Sequence, residues 1–221
     1  GGTTGTILFD GVVGQTNDFD LITITGNLDL DENIGANDFS SAGATSITVS
    51  GASNLGASVT TSGIQTYTGA TTLSGNANVN LKGTTIQFGN TVAGGTEDLK
   101  VDGIMDLNGA MTNVAILEVT GASDIGANIS TTGIQTYTGA VTLSGAARTL
   151  TATNNSAVLF SSTINGTQDL TVATGGLTTF DGLVGNLNIL GDIDISGTGG
   201  LDLDAAIALA NGTAGAASLD V

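Results

Sequence analysis

The chain has no cysteine, proline, histidine or tryptophan among its 221 residues, and only three basic side chains. Each absence excludes something. Without cysteine there is no disulfide framework, although that alone leaves the cellular compartment open. Without histidine and cysteine, the commonest general base and the thiol nucleophile are both missing. Lys82, Lys100 and Arg148 face 20 acidic residues, a net charge of −17, so the surface repels nucleic acid and anionic membranes. No apolar run approaches the roughly 18 residues of a membrane-spanning helix, and no membrane insertion is expected. Aromatics make up 4% of the chain, and the good helix formers Lys, Arg, Glu and Gln are scarce. The opening GGTTGTILF has no initiator Met or charged-then-apolar leader, and AGAASLDV at the other end is no anchor. The chain therefore reads as an internal piece of a longer protein or a mature product.

What is present in abundance is glycine (35 residues), threonine and β-branched apolar residues, arranged in a repeat. Residues 51–75 read GASNLGASVTTSGIQTYTGATTLSG and residues 121–145 read GASDIGANISTTGIQTYTGAVTLSG. The two align without gaps at an offset of 70, with 18 of 25 positions identical. Self-similarity at a fixed period marks a stacked architecture in which each unit completes its core against its neighbours.

A shorter pattern lies inside this period. An aromatic or leucine is followed by small residues, a glycine-containing corner and an alternating apolar run. Phe9, Phe39, Tyr67, Phe88, Leu107, Tyr137, Phe160 and Phe180 head these segments. Their spacings run from 19 to 30, with the long ones before Phe39, Tyr67 and Tyr137. The GAS(N/D)(L/I)GA segments inside the long intervals before Tyr67 and Tyr137 read as lateral loops or an extra short strand. The apolar period is two, as in Leu21-Ile22-Thr23-Ile24 and Asp192-Ile193-Asp194-Ile195, which is strand patterning. The one stretch approaching a helical period is DAAIALANG, 204–212, where at most a short helix or turn is expected.

These features predict an all-β fold, a parallel β-helix of about 10 coils of roughly 20 residues stacked about 4.8 Å apart, forming one rod over 1–221. Its interior is a column of Ile, Leu and Val with Phe and Tyr stacked on one another. Gly63, Gly69, Gly75, Gly133, Gly139 and Gly145 fall at corners, where positive φ or room to turn is needed. Proline is missing because central ladder positions need every N–H. Asn and Asp at corners satisfy local backbone groups and form ladders between coils. A β-sandwich array is the main alternative, but it leads one to expect tryptophan and recurrent proline. A propeller lacks its blade signature here.

Three chemistries follow from the residues. Acidic alternation gives Asp29 and Asp31 beside Glu32, Asp192 and Asp194, and Asp202 and Asp204. Residues i and i+2 share a strand face, so each pair offers two carboxylates to one calcium ion, and stacking would bring the 192/194 and 202/204 pairs together. The plainer reading is a solvated polar face, and the calcium-binding nonapeptide is absent. T-x-T motifs at Thr23/Thr25, Thr66/Thr68, Thr136/Thr138 and Thr149/Thr151/Thr153 offer an ice-binding ladder, against the ordinary reading of threonine filling strand surface. A paired-carboxylate polysaccharide enzyme on the same rod is the remaining alternative. The three scattered cations are a poor clamp for acidic sugars, so no catalytic or cofactor-binding residue is assigned.

The cadence GIQTYTGAVTLSG, LFSSTINGTQDLTV and GG resembles the repeat segments of large bacterial surface and secreted proteins of the filamentous haemagglutinin and autotransporter-passenger type, from about residue 4 to 200. That resemblance implies a right-handed β-helix, export to the cell surface or beyond, and an adhesive or fibre-forming role. The expected function is an extracellular structural or adhesive solenoid segment. Its partners would be further copies stacked head to tail or a covalent continuation of the rod, with surface glycans as a second class.

Overall fold

The computed structural model describes residues 5–36, 42–75, 78–208 and 218–221. The alternating runs form strands, and every pairing between them in this region is parallel. The chain winds as a three-sided β-solenoid of about nine turns, with no helix among the described residues.

The first face is a ladder of eleven strands, from Thr6–Phe9 through Asn27–Leu30, Ser53–Leu55 and Thr71–Leu73 to Leu219–Asp220. The second begins with single bridges at Val13 and Ile34, continues through Val59–Thr60, and includes Leu117–Val119, Gln135–Tyr137, Val158–Phe160 and Thr178–Phe180. The third holds Phe19–Ile24, Ala44–Val49, Ile64–Tyr67, Ser123–Ile125 and Val141–Leu143. Val79–Phe88 and Leu99–Leu107 are long because each rounds the corner from the second face to the third, with a register shift between Asp102 and Ile104 beside Gly103. A turn takes 18 residues where Ser53 pairs with Thr71 and 26 where Ile193 pairs with Leu219.

The 70-residue copies do not occupy the same face. Ser53–Leu55 is on the first face, but its copy Ser123–Ile125 is on the third. Ile64–Tyr67 is on the third face and Gln135–Tyr137 on the second. The repeat thus advances by whole turns less one face, a rotation of a third of a turn. Of the two readings of the GAS segments, the short strand holds and the lateral loop does not, and the interval from Leu107 to Tyr137 is long because the two lie on different faces. The rotation is tolerated because each face presents the same short inward strand to the axis. Phe39 lies outside the described residues. Of the 204–212 stretch, 204–208 contains no helix and Ile207 makes a single bridge to Val184; the remainder lies outside the described residues.

Inward positions form one continuous apolar column. Tyr67 stacks on Phe88 at 5.8 Å between ring centroids, and Tyr137 on Phe160 at 5.1 Å, with Phe180 5.4 Å beyond. Each such pair contributes about 0.5–1.5 kcal/mol beyond its buried area. The column is not wholly apolar. Tyr67 donates to Gln65 Oε1 at 2.9 Å, and Gln65 Nε2 donates to the carbonyls of Val59 and Lys82, each at 2.9 Å. The second copy repeats the arrangement: Tyr137 donates to Gln135 Oε1, and Gln135 Nε2 to Thr151 O and Thr131 Oγ1. Each glutamine satisfies the tyrosine hydroxyl and ties carbonyls near the corner, which removes the cost of burying a polar group alone.

Corner glycines act in two ways. Gly75 and Gly145 take positive φ, 91° and 76°. Gly69 and Gly139 do not; a Cβ there would lie 2.3 Å from the backbone of Gly51 and Gly121 in the turn before, so they are small because the turns touch.

Burial pushes both tyrosine hydroxyls well above the usual range. In the unfolded chain tyrosine ionises near pH 10, so the unfolded state releases protons that the folded state keeps. The stabilisation is full below about pH 10 and falls as pH rises above it, by about 1.4 kcal/mol per pH unit per tyrosine. Denaturant midpoints measured up to about pH 11 should show that decline, and the Tyr67→Phe/Tyr137→Phe double variant should flatten it. An unchanged slope in the variant would contradict the buried, neutral state.

Candidate functional site

With the interior spent on the column, chemistry is left to the outward rows. On the third face the in-register outward row runs Thr23, Thr48, Thr66, Gln87, Asp106, Asp124, Thr142. The two stacked carboxylates are held by neighbours: Gln87 Nε2 and Asn108 Nδ2 donate to Asp106 at 2.9 and 2.8 Å, and Ser144 Oγ donates to Asp124 at 2.5 Å. On the second face Asn80, Lys100, Glu118 and Thr136 are stacked in register, with Lys100 Nζ 2.6 Å from Glu118 Oε1. Asn80, Lys100 and Glu118, with Asp98, Leu99 and the half-exposed Ile116, line a hollow of about 390 Å³. An exposed ion pair of this kind contributes about 0–1 kcal/mol.

The first face differs. Its outward row includes Thr72, Ala93, Thr112, Ser130, Thr151 and Ala173 in adjacent strands. Beside it run Ala70, Thr91, Ala110, Asn128, Thr149 and Thr171. None of these carries a charge, in a chain of net charge −17. The result is a grid of small hydroxyl, methyl and amide groups about 4.8 Å apart between turns and about 6.8 Å apart along a strand. Among the described residues, the acidic side chains in the strands of this face lie beyond the grid, at Asp29 on one side and at Asp194 and Asp220 on the other. Sequence reading missed the grid because single strands there carry only one or two of its residues, and turns of 18–26 residues hide which ones align.

The carboxylate pairs singled out from sequence are separated by the winding. Asp194 is on the first face and Asp202 on the second, so the 192/194 and 202/204 pairs do not meet. Asp29 accepts from Asn54 Nδ2 at 2.8 Å across the turn boundary, and Asp31 stands at the corner that follows. Asp192 accepts the backbone amide of Ser218 at 2.8 Å, just as Asp169 accepts that of Asp192 at 2.9 Å. Asn27 and Asn128 do the same for Ala52 and Thr149. At these corners an Asx oxygen takes the amide of the next turn, which is the ladder between coils expected of corner Asn and Asp. Among the described residues no three acidic side chains converge on a point that could hold a metal ion.

The T-x-T motifs are likewise dispersed: Thr23 and Thr66 lie on the third face, Thr136 on the second, Thr149 and Thr151 on the first. Tyr67 and Tyr137 are fully buried and present no sugar-stacking platform. Arg148 folds back on its own corner, with Nε donating to Ser144 O at 2.9 Å and Ile125 O at 3.2 Å.

Comparison with protein-family models, with curated proteins and with solved structures returns no match.

The corner role of Asp169 makes a direct prediction. Asp169→Ala should speed hydrogen exchange at the Asp192 amide while costing about 0.5–1.5 kcal/mol overall. Exchange at that amide as slow as in the unaltered protein would show that the carboxylate does not hold it.

Proposed function

We propose that this chain is an extracellular structural or adhesive segment, a stiff solenoid rod of the filamentous haemagglutinin and autotransporter-passenger kind, without a catalytic site or cofactor. The observation that carries the reading is the division of labour between inside and outside. One column of stacked side chains runs through all the turns, and the three outer faces differ from one another in charge. Such an object holds surfaces at fixed spacing, which suits display and adhesion. Its acidic, lysine-poor exterior favours a soluble rod in salt water and disfavours nucleic acid.

Self-association extends this reading. In the first described turn Ile7 and Phe19 are about half exposed although their partners in the next turn, Leu28 and Ala44, are buried, and a further turn laid on that edge, from a longer chain or from a second copy, would cover them. Sedimentation and electron microscopy over a range of concentrations should show end-to-end rods, and Phe19→Asp should shorten them. Monodisperse single rods at high concentration and high salt would remove self-stacking from the account. Screening on a glycan panel tests adhesion separately, and turnover of any polysaccharide lost on one aspartate substitution would favour the enzyme reading instead.

The grid on the first face favours a second reading, an ice-binding surface that orders water on spaced hydroxyl and methyl groups. Thermal hysteresis in the unaltered protein, lost in Thr112→Lys/Thr151→Lys, is the outcome expected of it. No hysteresis at any concentration would dismiss it and leave the rod unaffected.

A further inference from the structure

Two asparagine–glycine pairs lie in the described part of the chain, and the fold treats them oppositely. Asn165 is 7% exposed, and its Oδ1 accepts the amides of Leu187 at 2.9 Å and Asn188 at 3.3 Å. The following Gly166 amide donates to Asn188 O at 3.2 Å. The nucleophile and the electrophile of a possible ring closure are thus both tied down. Asn108 is exposed, at the corner where Leu99–Leu107 ends. Its carboxamide makes one contact, from Nδ2 to Asp106 Oδ1 at 2.8 Å, and the Gly109 amide donates to no acceptor among the described residues.

We propose that Asn108 is a site of spontaneous covalent modification, built into the exposed corner between the third and first faces. The Gly109 amide nitrogen gives its proton to water or hydroxide and attacks Asn108 Cγ. A carbon–nitrogen bond forms, the bond from Cγ to Nδ2 breaks, and the side-chain nitrogen leaves as ammonia. Water then opens either carbonyl of the five-membered imide, yielding aspartate or isoaspartate. The balance is one water consumed and one ammonia released, with no oxidation or reduction. Glycine matters because no side chain shields the attacking nitrogen.

The product falls where it has consequences. Asp106 loses its Asn108 donor and gains a carboxylate beside it, while already standing in register with Asp124. In the isoaspartate form the backbone runs through the side-chain carbon, lengthening the corner just before Met111 takes its register on Val92. The third face therefore becomes more acidic and its corner looser as the protein ages.

The test is incubation of the folded protein at mildly alkaline pH, followed by mass spectrometric fragmentation that assigns each asparagine, including Asn211 of the third such pair, which lies outside the described residues. Conversion at Asn108 should run at least about tenfold faster than at Asn165, and the two should converge in denaturant, because Asn165 reacts only after local opening. Asn108→Gln should abolish the signal at that position and leave Asn165 unchanged. Equal, slow rates at Asn108 and Asn165 in the folded protein would overturn the proposal.

Discussion

The structure depends on one constraint: each turn must place an apolar side chain directly over one in the turn before. Strands of two to four residues cannot be stable alone. Stacked in parallel register, they share a ladder of backbone hydrogen bonds and a column of contacts, and burial of each Leu, Ile or Val contributes roughly 1.5–3 kcal/mol. From this requirement follow the absence of proline, which would break a ladder, and the glycines at corners where one turn presses on the next. The Asx side chains that cap amides where a strand begins serve the same register.

Because that constraint acts only inward, the outer face is free to vary. Threonine, alanine, aspartate and lysine succeed one another along outward rows, while inward partners are mostly Leu, Val, Ile, Met or an aromatic, joined by a few buried Ser, Thr and Gln. The rotation of the 70-residue repeat by one face follows from the same freedom. A segment such as GIQTY needs only a neighbouring turn above and below, and it finds one on the third face at Tyr67 and on the second at Tyr137. What the copies retain is the buried Gln–Tyr pair, the threonine hydroxyl four residues before the glutamine and one carbonyl of the following turn. Their outward threonines enter different surroundings, Thr66 between Thr48 and Gln87 and Thr136 between Glu118 and Leu159.

Much of the interior was legible from sequence. Period-two runs placed the strands, the aromatic cadence predicted stacked rings, and the corner glycines mark real close approaches. Those signals are local, set by residues within a strand or its adjoining turn. The surface was far less legible, because it depends on which residues lie above one another. Turn lengths between 18 and 26 residues leave that assignment open. Hence the 192/194 and 202/204 pairs, which stacking could have brought together, lie on different faces, and the T-x-T motifs scatter over three, with only the one at Thr149 and Thr151 marking part of the uncharged grid. Gln65 and Gln135 were missed for another reason: a glutamine between apolar residues reads as exposed unless its tyrosine and carbonyl partners are known to share the interior.

The register can be tested directly, since the chain has no native cysteine. Glu118 and Thr136 are 18 positions apart and stand opposite each other on the second face. A disulfide needs Cα atoms about 4.4–6.8 Å apart, which adjacent strands provide. In Glu118→Cys/Thr136→Cys the folded monomer should close this bridge rapidly under mild oxidation, at any protein concentration. Two thiols that stay free in the folded protein, or that join only between molecules, would contradict the stacking of one turn on the next.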